Sequence, residues 1–193
     1  KEILMLKDRL STLETKDKCR DSFLNYVRYI WDGFIEGEHH RLIADKMTEV
    51  AQGKCKRLIV NMPPRHTKSE FASVYFPSWM MGLKPDMKIM QTTHTADLSI
   101  RFGRKVRNLM DTQEYKRMFE NVSLAADSKS AGRWETSQGG EYFAAGVGGA
   151  ITGRGADLLI IDDPHSEQDA LSPGAMEGAY EWYTSGPRQR LQP

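Results

Sequence analysis

The order of apolar and polar residues divides the chain into helical and extended stretches before any chemistry is considered. From Lys1 to about Arg20, charged residues interleave with Ile3, Leu4, Leu6, Leu10 and Leu13, a spacing that predicts a helix packing one face. Asp21-Ser22 starts a second helical run bearing Phe23, Tyr26, Val27, Ile30 and Trp31, stopped by Gly33. A third stripe, Leu42, Ile43, Met47 and Val50, runs through His39–Val50 and ends at Gly53, and Arg57 to Asn61 reads as the first core strand. Phe71, Val74, Tyr75, Trp79 and Met80 share a helix face that Pro77 should kink or end early. After the turn Lys84-Pro85-Asp86 comes a second strand, Lys88 to Thr93. Thr95 then caps a long helix with Leu98, Phe102, Val106, Leu109 and Met110 on one side. Arg133 to Gly149 breaks this rhythm: Trp134 and Thr136, a Gly139-Gly140 turn, then Tyr142 to Ala145, which together read as a β-hairpin. Asp157 to Pro164, DLLIIDDP, holds four consecutive branched aliphatics, apolar on both faces as the middle of a parallel sheet demands. Strands alternating with helices give an α/β fold, a central mostly parallel sheet flanked by helices.

Composition narrows this picture only slightly. A length of 193 residues suits one well-filled domain. Lys+Arg 27 against Asp+Glu 26 means that any nucleic-acid contact must come from a local patch. Arg101, Arg104, Lys105 and Arg107, around the helix after Thr95, form one such basic face, either a DNA contact or a solvated surface. Cys19 and Cys55 lack C-x-x-C spacing and read as reduced thiols of a cytosolic protein. No apolar run approaches 18 residues and no signal peptide opens the chain, which argues against a membrane. The adjacent His39 and His40 suit a helix entry better than a metal site.

The chemistry sits in Leu58 to Glu70, LIVNMPPRHTKSE: an apolar run, a Pro-Pro turn, then Lys68-Ser69 opening an amphipathic segment. That order suits a loop whose backbone N–H groups surround a polyphosphate ahead of a helix N-terminus. In the common form G-x-x-x-x-G-K-[ST], the lysine reaches the β/γ-phosphates and the hydroxyl ligates Mg²⁺. Here Met62 and Thr67 stand where the two glycines belong. The second half of the site is Asp162-Asp163, delivered to the end of a buried strand, where ligand chemistry gathers in parallel sheets. Together these residues supply a phosphate-binding Lys68, a Mg²⁺-ligating Ser69, a Mg²⁺-side carboxylate in Asp162 and a candidate base in Asp163.

From about Gly37 onward the sequence resembles the N-terminal ATPase domain of the large terminase subunit of tailed bacteriophages. The blocks that carry the resemblance are RLIVNMPPRHTKSE, QTTHTADLSIRFGRKVRNLM, GRWETSQGGEYFAAGVGGAITGRGADLLIIDDP and EWYTSGPRQRL. It implies a RecA-like P-loop NTPase with a β-hairpin inserted before the Walker B strand, preceded by a helical arm over residues 1–36. The ATPase domain would then occupy 37–193, and the family's coupling motif and nuclease domain would lie beyond this chain. Large terminases tolerate a phosphate loop without its usual glycines and place an arginine inside it, here Arg65. By position, the loop Pro64, Arg65, His66, Thr67, Lys68 and Ser69 would hold ATP, Ser69 and Asp162 would hold Mg²⁺, and Arg65 would sense the γ-phosphate. The family usually has glutamate after the Mg²⁺ aspartate, and Asp163 is one methylene shorter.

An arginine acting on a neighbouring subunit's nucleotide is also implied, with the glycine-flanked Arg154 the first candidate and Arg133 the second. The resemblance further implies double-stranded DNA, a portal protein and a small terminase subunit as partners, a homo-oligomeric ring on the prohead, and the host cytoplasm as location. A P-loop helicase or remodelling ATPase, and a degenerate nucleotide-binding scaffold, remain the alternatives. For adenine, His40 and Arg41 could line a pocket, or could simply start a surface helix.

Overall fold

A computed structural model describes residues 2–127, 130–151, 153 and 155–192. Lys1–Lys68 and Ser69–Pro193 form two compact units.

The first unit is built from helices α1 (Glu2–Asp21), α2 (Phe23–Ile30) and α3 (Glu38–Ala51). Ser22 caps α2 by accepting the Asn25 N–H at 3.4 Å, and Gly33 reverses the chain at φ 72°. The stripe expected on α2 supplies the core: Phe23, Tyr26 and Val27 are fully buried, with Ala44 and Met47 of α3. The Phe23 N–H donates to Thr48 Oγ1 at 3.2 Å, tying α2 to α3. Residues 1–36 therefore share one unit with α3. On α1 the expectation of a packed face fails over most of its length. Ile3, Leu6, Leu10 and Leu13 are exposed, and Cys19 near the end of the helix is buried. Burial there pushes the Cys19 thiol up to about 11.

Arg57–Asn61, expected as the first core strand, is neither strand nor helix. A strand exists through its ladder, and Pro63 and Pro64 remove two donors immediately downstream. Ile59 is 85% exposed, so the apolar run is not used as a core strand.

The second unit is an α/β layer structure. Its sheet contains β1 (Lys88–Thr93), β2 (Arg133–Glu135), β3 (Glu141–Gly146) and β4 (Leu158–Ile161) in the order β2-β3-β1-β4. β1 pairs in parallel with both β3 and β4, and β2 runs antiparallel to β3, making the sheet mixed. The expected hairpin is thus part of the sheet itself, with Gly139 at φ 86° in its turn. Trp134 lies opposite Tyr142, and their rings stack at 4.9 Å. Alternate residues of a strand face opposite sides. From β1, Met90 joins Ala145, Ile151, Ala156 and Trp182 of the helix Pro173–Ser185 on one side. Gln91 and Thr93 face the other side, where they bond Ser73 and Ser99. Helices therefore cover both faces.

Ser99 belongs to α6 (Ala96–Met110), which Thr95 caps as expected. This helix lies close to the hairpin: a Cβ on Gly103 would stand 2.6 Å from the Ala131 carbonyl oxygen and 2.8 Å from Tyr142 Cε1. Gly103→Ala should lower stability by about 1–3 kcal/mol, read as a reduced denaturant midpoint with an unchanged m-value.

Two further elements differ from expectation. Pro77 does not end its helix: α4 (Lys68–Glu70) passes through a π turn (Phe71–Tyr75) into α5 (Phe76–Leu83). The Phe76 N–H reaches back to the Phe71 carbonyl, a wider turn placed where a proline ring would crowd the carbonyl four residues before it. β4, expected in the middle of the sheet, is an edge strand among the described residues, and Ile161 is 38% exposed. Its neighbour on one side is β1, and the strand expected from Arg57–Asn61 is not in the sheet.

Candidate functional site

In the first unit, the loop residues Pro64, Arg65 and His66 are exposed, and Thr67 is half-buried. Arg65 adopts φ 65° and Thr67 φ 61°. A left-handed β-branched residue is a conformational outlier, and such strain persists only where neighbours enforce it. Here the neighbour is His40. The Gly37 N–H donates to His40 Nδ1 at 2.9 Å, which makes Nδ1 an acceptor and leaves the ring proton on Nε2. Nε2 then donates to Thr67 Oγ1 at 2.5 Å, and the Thr67 hydroxyl donates to the His66 carbonyl at 2.6 Å. His66 Nδ1 in turn donates to the Pro64 carbonyl at 2.9 Å. Thr67 thus takes the left-handed conformation that glycine gives the common motif, held by a hydrogen bond that glycine could not make.

His40 is buried against the rings of Phe34 and His39. Burial, then the neighbouring His39, pushes its pKa below the ordinary 6.5. A histidine pKa depressed in the folded state contributes stability that is present above 6.5 and lost as the pH falls through the lower folded value. Protonation also places a proton on Nδ1 and breaks the bond from Gly37. The Thr67 amide resonance should therefore shift on acidification below 6.5, and His40→Gln should abolish that titration. Arg41, the other residue weighed for an adenine pocket, is bonded to Glu36 at 2.5 Å. Hydrogen bonds from Arg28 and then Arg41 push the Glu36 pKa down to about 2.

Lys68 begins α4, with Ser69 next in the same turn, as the sequence predicts. Interleaved left-handed residues ahead of a helix start make a turn of the kind that directs successive N–H groups to one side, and this suits a phosphate.

In the second unit, Asp162 follows β4 and is 5% exposed. Ile160 is in register with Gln91, so Asp162, two residues on, faces the same helix-covered side. There Ser73 Oγ donates to Asp162 Oδ2 at 2.8 Å. Ser73 lies one helical turn beyond Ser69, in the π turn. Asp163 is exposed, sits at φ 45°, and its carbonyl accepts the His94 N–H at 3.2 Å. Both sequence-predicted acids are therefore at the carboxyl end of a parallel strand, one buried and one exposed. His94 Nδ1 and His165 Nε2 are buried without a hydrogen-bond partner. Nearby, Asp169 accepts bonds from the Ser166 hydroxyl and N–H, which lower its pKa.

Among the described residues no group of three or more His, Cys, Asp or Glu side chains is arranged to hold a metal. Mg²⁺ does not require one, because it is commonly held by one or two carboxylates with phosphate and water oxygens. A buried strand-end carboxylate beside the Ser73 hydroxyl fits that hard, oxygen-seeking ion.

Arg154 lies outside the described residues. Arg133 is on β2, bonded to Glu141 at 3.0 Å and near Glu135 at 3.6 Å. On α6, Arg101 and Arg104 are exposed, and Lys105 pairs with Glu70. No helix among the described residues is long and apolar enough to cross a membrane.

Residue patterns did not flag Ser73 or Gln91 as parts of a site, and they offered His40 for an adenine pocket rather than as the anchor of Thr67. The one available signal was Thr67 in a glycine's place, which demands an anchor somewhere in the chain.

The fold and strand-end chemistry define an α/β protein with a four-stranded mixed sheet flanked by helices. No protein-family model and no curated protein matches the chain.

Proposed function

We propose that this chain is the ATPase part of a viral DNA-packaging motor, a RecA-like P-loop ATP hydrolase that drives double-stranded DNA into a prohead. The observation that supports the reading is Thr67 at φ 61° directly before Lys68-Ser69, a left-handed residue at the position where the common phosphate-loop motif has glycine. Lys68 binds the β/γ-phosphates, and Arg65 meets the γ-phosphate as charge develops on it. Ser69 and Asp162 hold Mg²⁺, which neutralises phosphate charge when bound. Asp163 orients the attacking water and takes its proton, and the exposure of this side chain leaves it open to solvent.

The rest of the reading follows the terminase resemblance. Arg101 and Arg104 on α6 offer phosphate contacts to double-stranded DNA. The partners are the portal protein, the small terminase subunit and further copies of the chain in a ring. Arg154 would act on a neighbour's nucleotide in that ring. The test is ATP-driven packaging of double-stranded DNA into proheads by the full-length protein. Packaging that ceases in Lys68→Ala supports the proposal, and unchanged packaging overturns it. Hydrolysis stimulated by DNA with no packaging would favour a helicase or remodelling ATPase instead.

A further inference from the structure

We infer that Ser73 and Gln91 are positioning residues for Asp162, forming a buried relay that sets this carboxylate for a divalent cation. The inference rests on the nucleotide reading above. Ser73 and Gln91 are both fully buried, and Asp162 nearly so. Gln91 Nε2 donates to Ser73 Oγ at 3.1 Å, and Ser73 Oγ donates to Asp162 Oδ2 at 2.8 Å. The directions are fixed by chemistry. A carboxylate can only accept, so the single Ser73 proton goes to Asp162, and the serine oxygen must then receive from the Gln91 amide N–H.

The three groups come from three elements: β1, the π turn and the end of β4. The widened turn ahead of Pro77 is the part of the helix that presents Ser73, and single π turns frequently accompany functional sites. Stability alone does not account for the relay. Gln91 Oε1 is buried with no hydrogen-bond partner, a penalty that an apolar residue at this strand position would avoid. What the amide provides in return is the orientation of Ser73, and through it the orientation of Asp162. Partners of this outer kind, which fix a metal-binding carboxylate without touching the metal, change metal affinity about 10–100-fold when removed.

The test uses Mn²⁺ as a spectroscopic probe in place of Mg²⁺, measured by electron paramagnetic resonance on the intact chain with ADP or a non-hydrolysable ATP analogue. Ser73→Ala should weaken Mn²⁺ binding about tenfold or more while nucleotide affinity without metal stays at the wild-type value. Gln91→Met keeps the volume and removes the orphaned oxygen, so its Tm should hold or rise while its Mn²⁺ affinity falls. A merely structural relay would give the reverse pattern, a lower Tm with wild-type Mn²⁺ affinity, and would overturn the inference. Wild-type protein that binds neither nucleotide nor Mn²⁺ overturns the nucleotide reading and this inference with it. Wild-type binding that both folded variants retain overturns this inference alone.

Discussion

Lys68→Ala should reduce ATP turnover by about 10²–10³-fold or more while leaving the circular dichroism spectrum unchanged. The side chain opens α4 and is half-buried rather than part of the core, so its loss removes charge at a helix start. Its ammonium is the main positive charge this loop can offer the β/γ-phosphates, and nucleotide affinity should fall with and without metal. That pattern separates a phosphate ligand from a metal ligand. Fluorescence titration with a labelled nucleotide, run beside steady-state turnover, reads both quantities.

Asp162→Asn should also cut Mg²⁺-dependent turnover by about 10²-fold or more, but with metal-free nucleotide affinity retained. The amide oxygen can still accept from Ser73, so the buried network loses a charge without losing its geometry. The burial of Asp162 makes this substitution informative. A carboxylate that is 5% exposed at a strand end is costly unless a cation or donors compensate it, and the asparagine should fold at least as stably as the wild type. A large loss of turnover with unchanged or raised Tm is the expected signature.

Much of the layer structure was legible in residue order because it depends on local periodicity. β1 occupies Lys88–Thr93 as its pattern requires, and the Trp134–Tyr142 hairpin forms around Gly139. Ser22 and Thr95 cap their helices because a hydroxyl ahead of an apolar stripe is a local signal. What was not legible depends on partners distant in sequence. Arg57–Asn61 has a strand's composition without a ladder, and β4 has a central strand's composition at a sheet edge. Residue order predicts a kink or an early end at Pro77 because it does not reveal that a π turn will precede it.

The site divides in the same way. Lys68-Ser69 and Asp162-Asp163 were visible as motif and strand end, and each lies where those patterns put it in the chain's elements. The open problem in the sequence was a threonine in a position that favours glycine. The fold answers it with His40, 27 residues away, whose neutral ring holds Thr67 in the left-handed region. Gln91 and Ser73 were hidden for a different reason: each reads as an ordinary polar residue within an apolar element, and only burial and the bond to Asp162 distinguish them.

The central claim is that the Arg65–Ser69 loop and the Asp162 strand end serve Mg²⁺-dependent ATP hydrolysis. The most direct measurement is phosphate release from ATP by the wild-type chain, in Mg²⁺ and in EDTA, with and without double-stranded DNA. The account predicts release that requires Mg²⁺, rises with DNA and disappears in Lys68→Ala. Release of equal rate in wild type and Lys68→Ala, or none from wild type under any of these conditions, would contradict it.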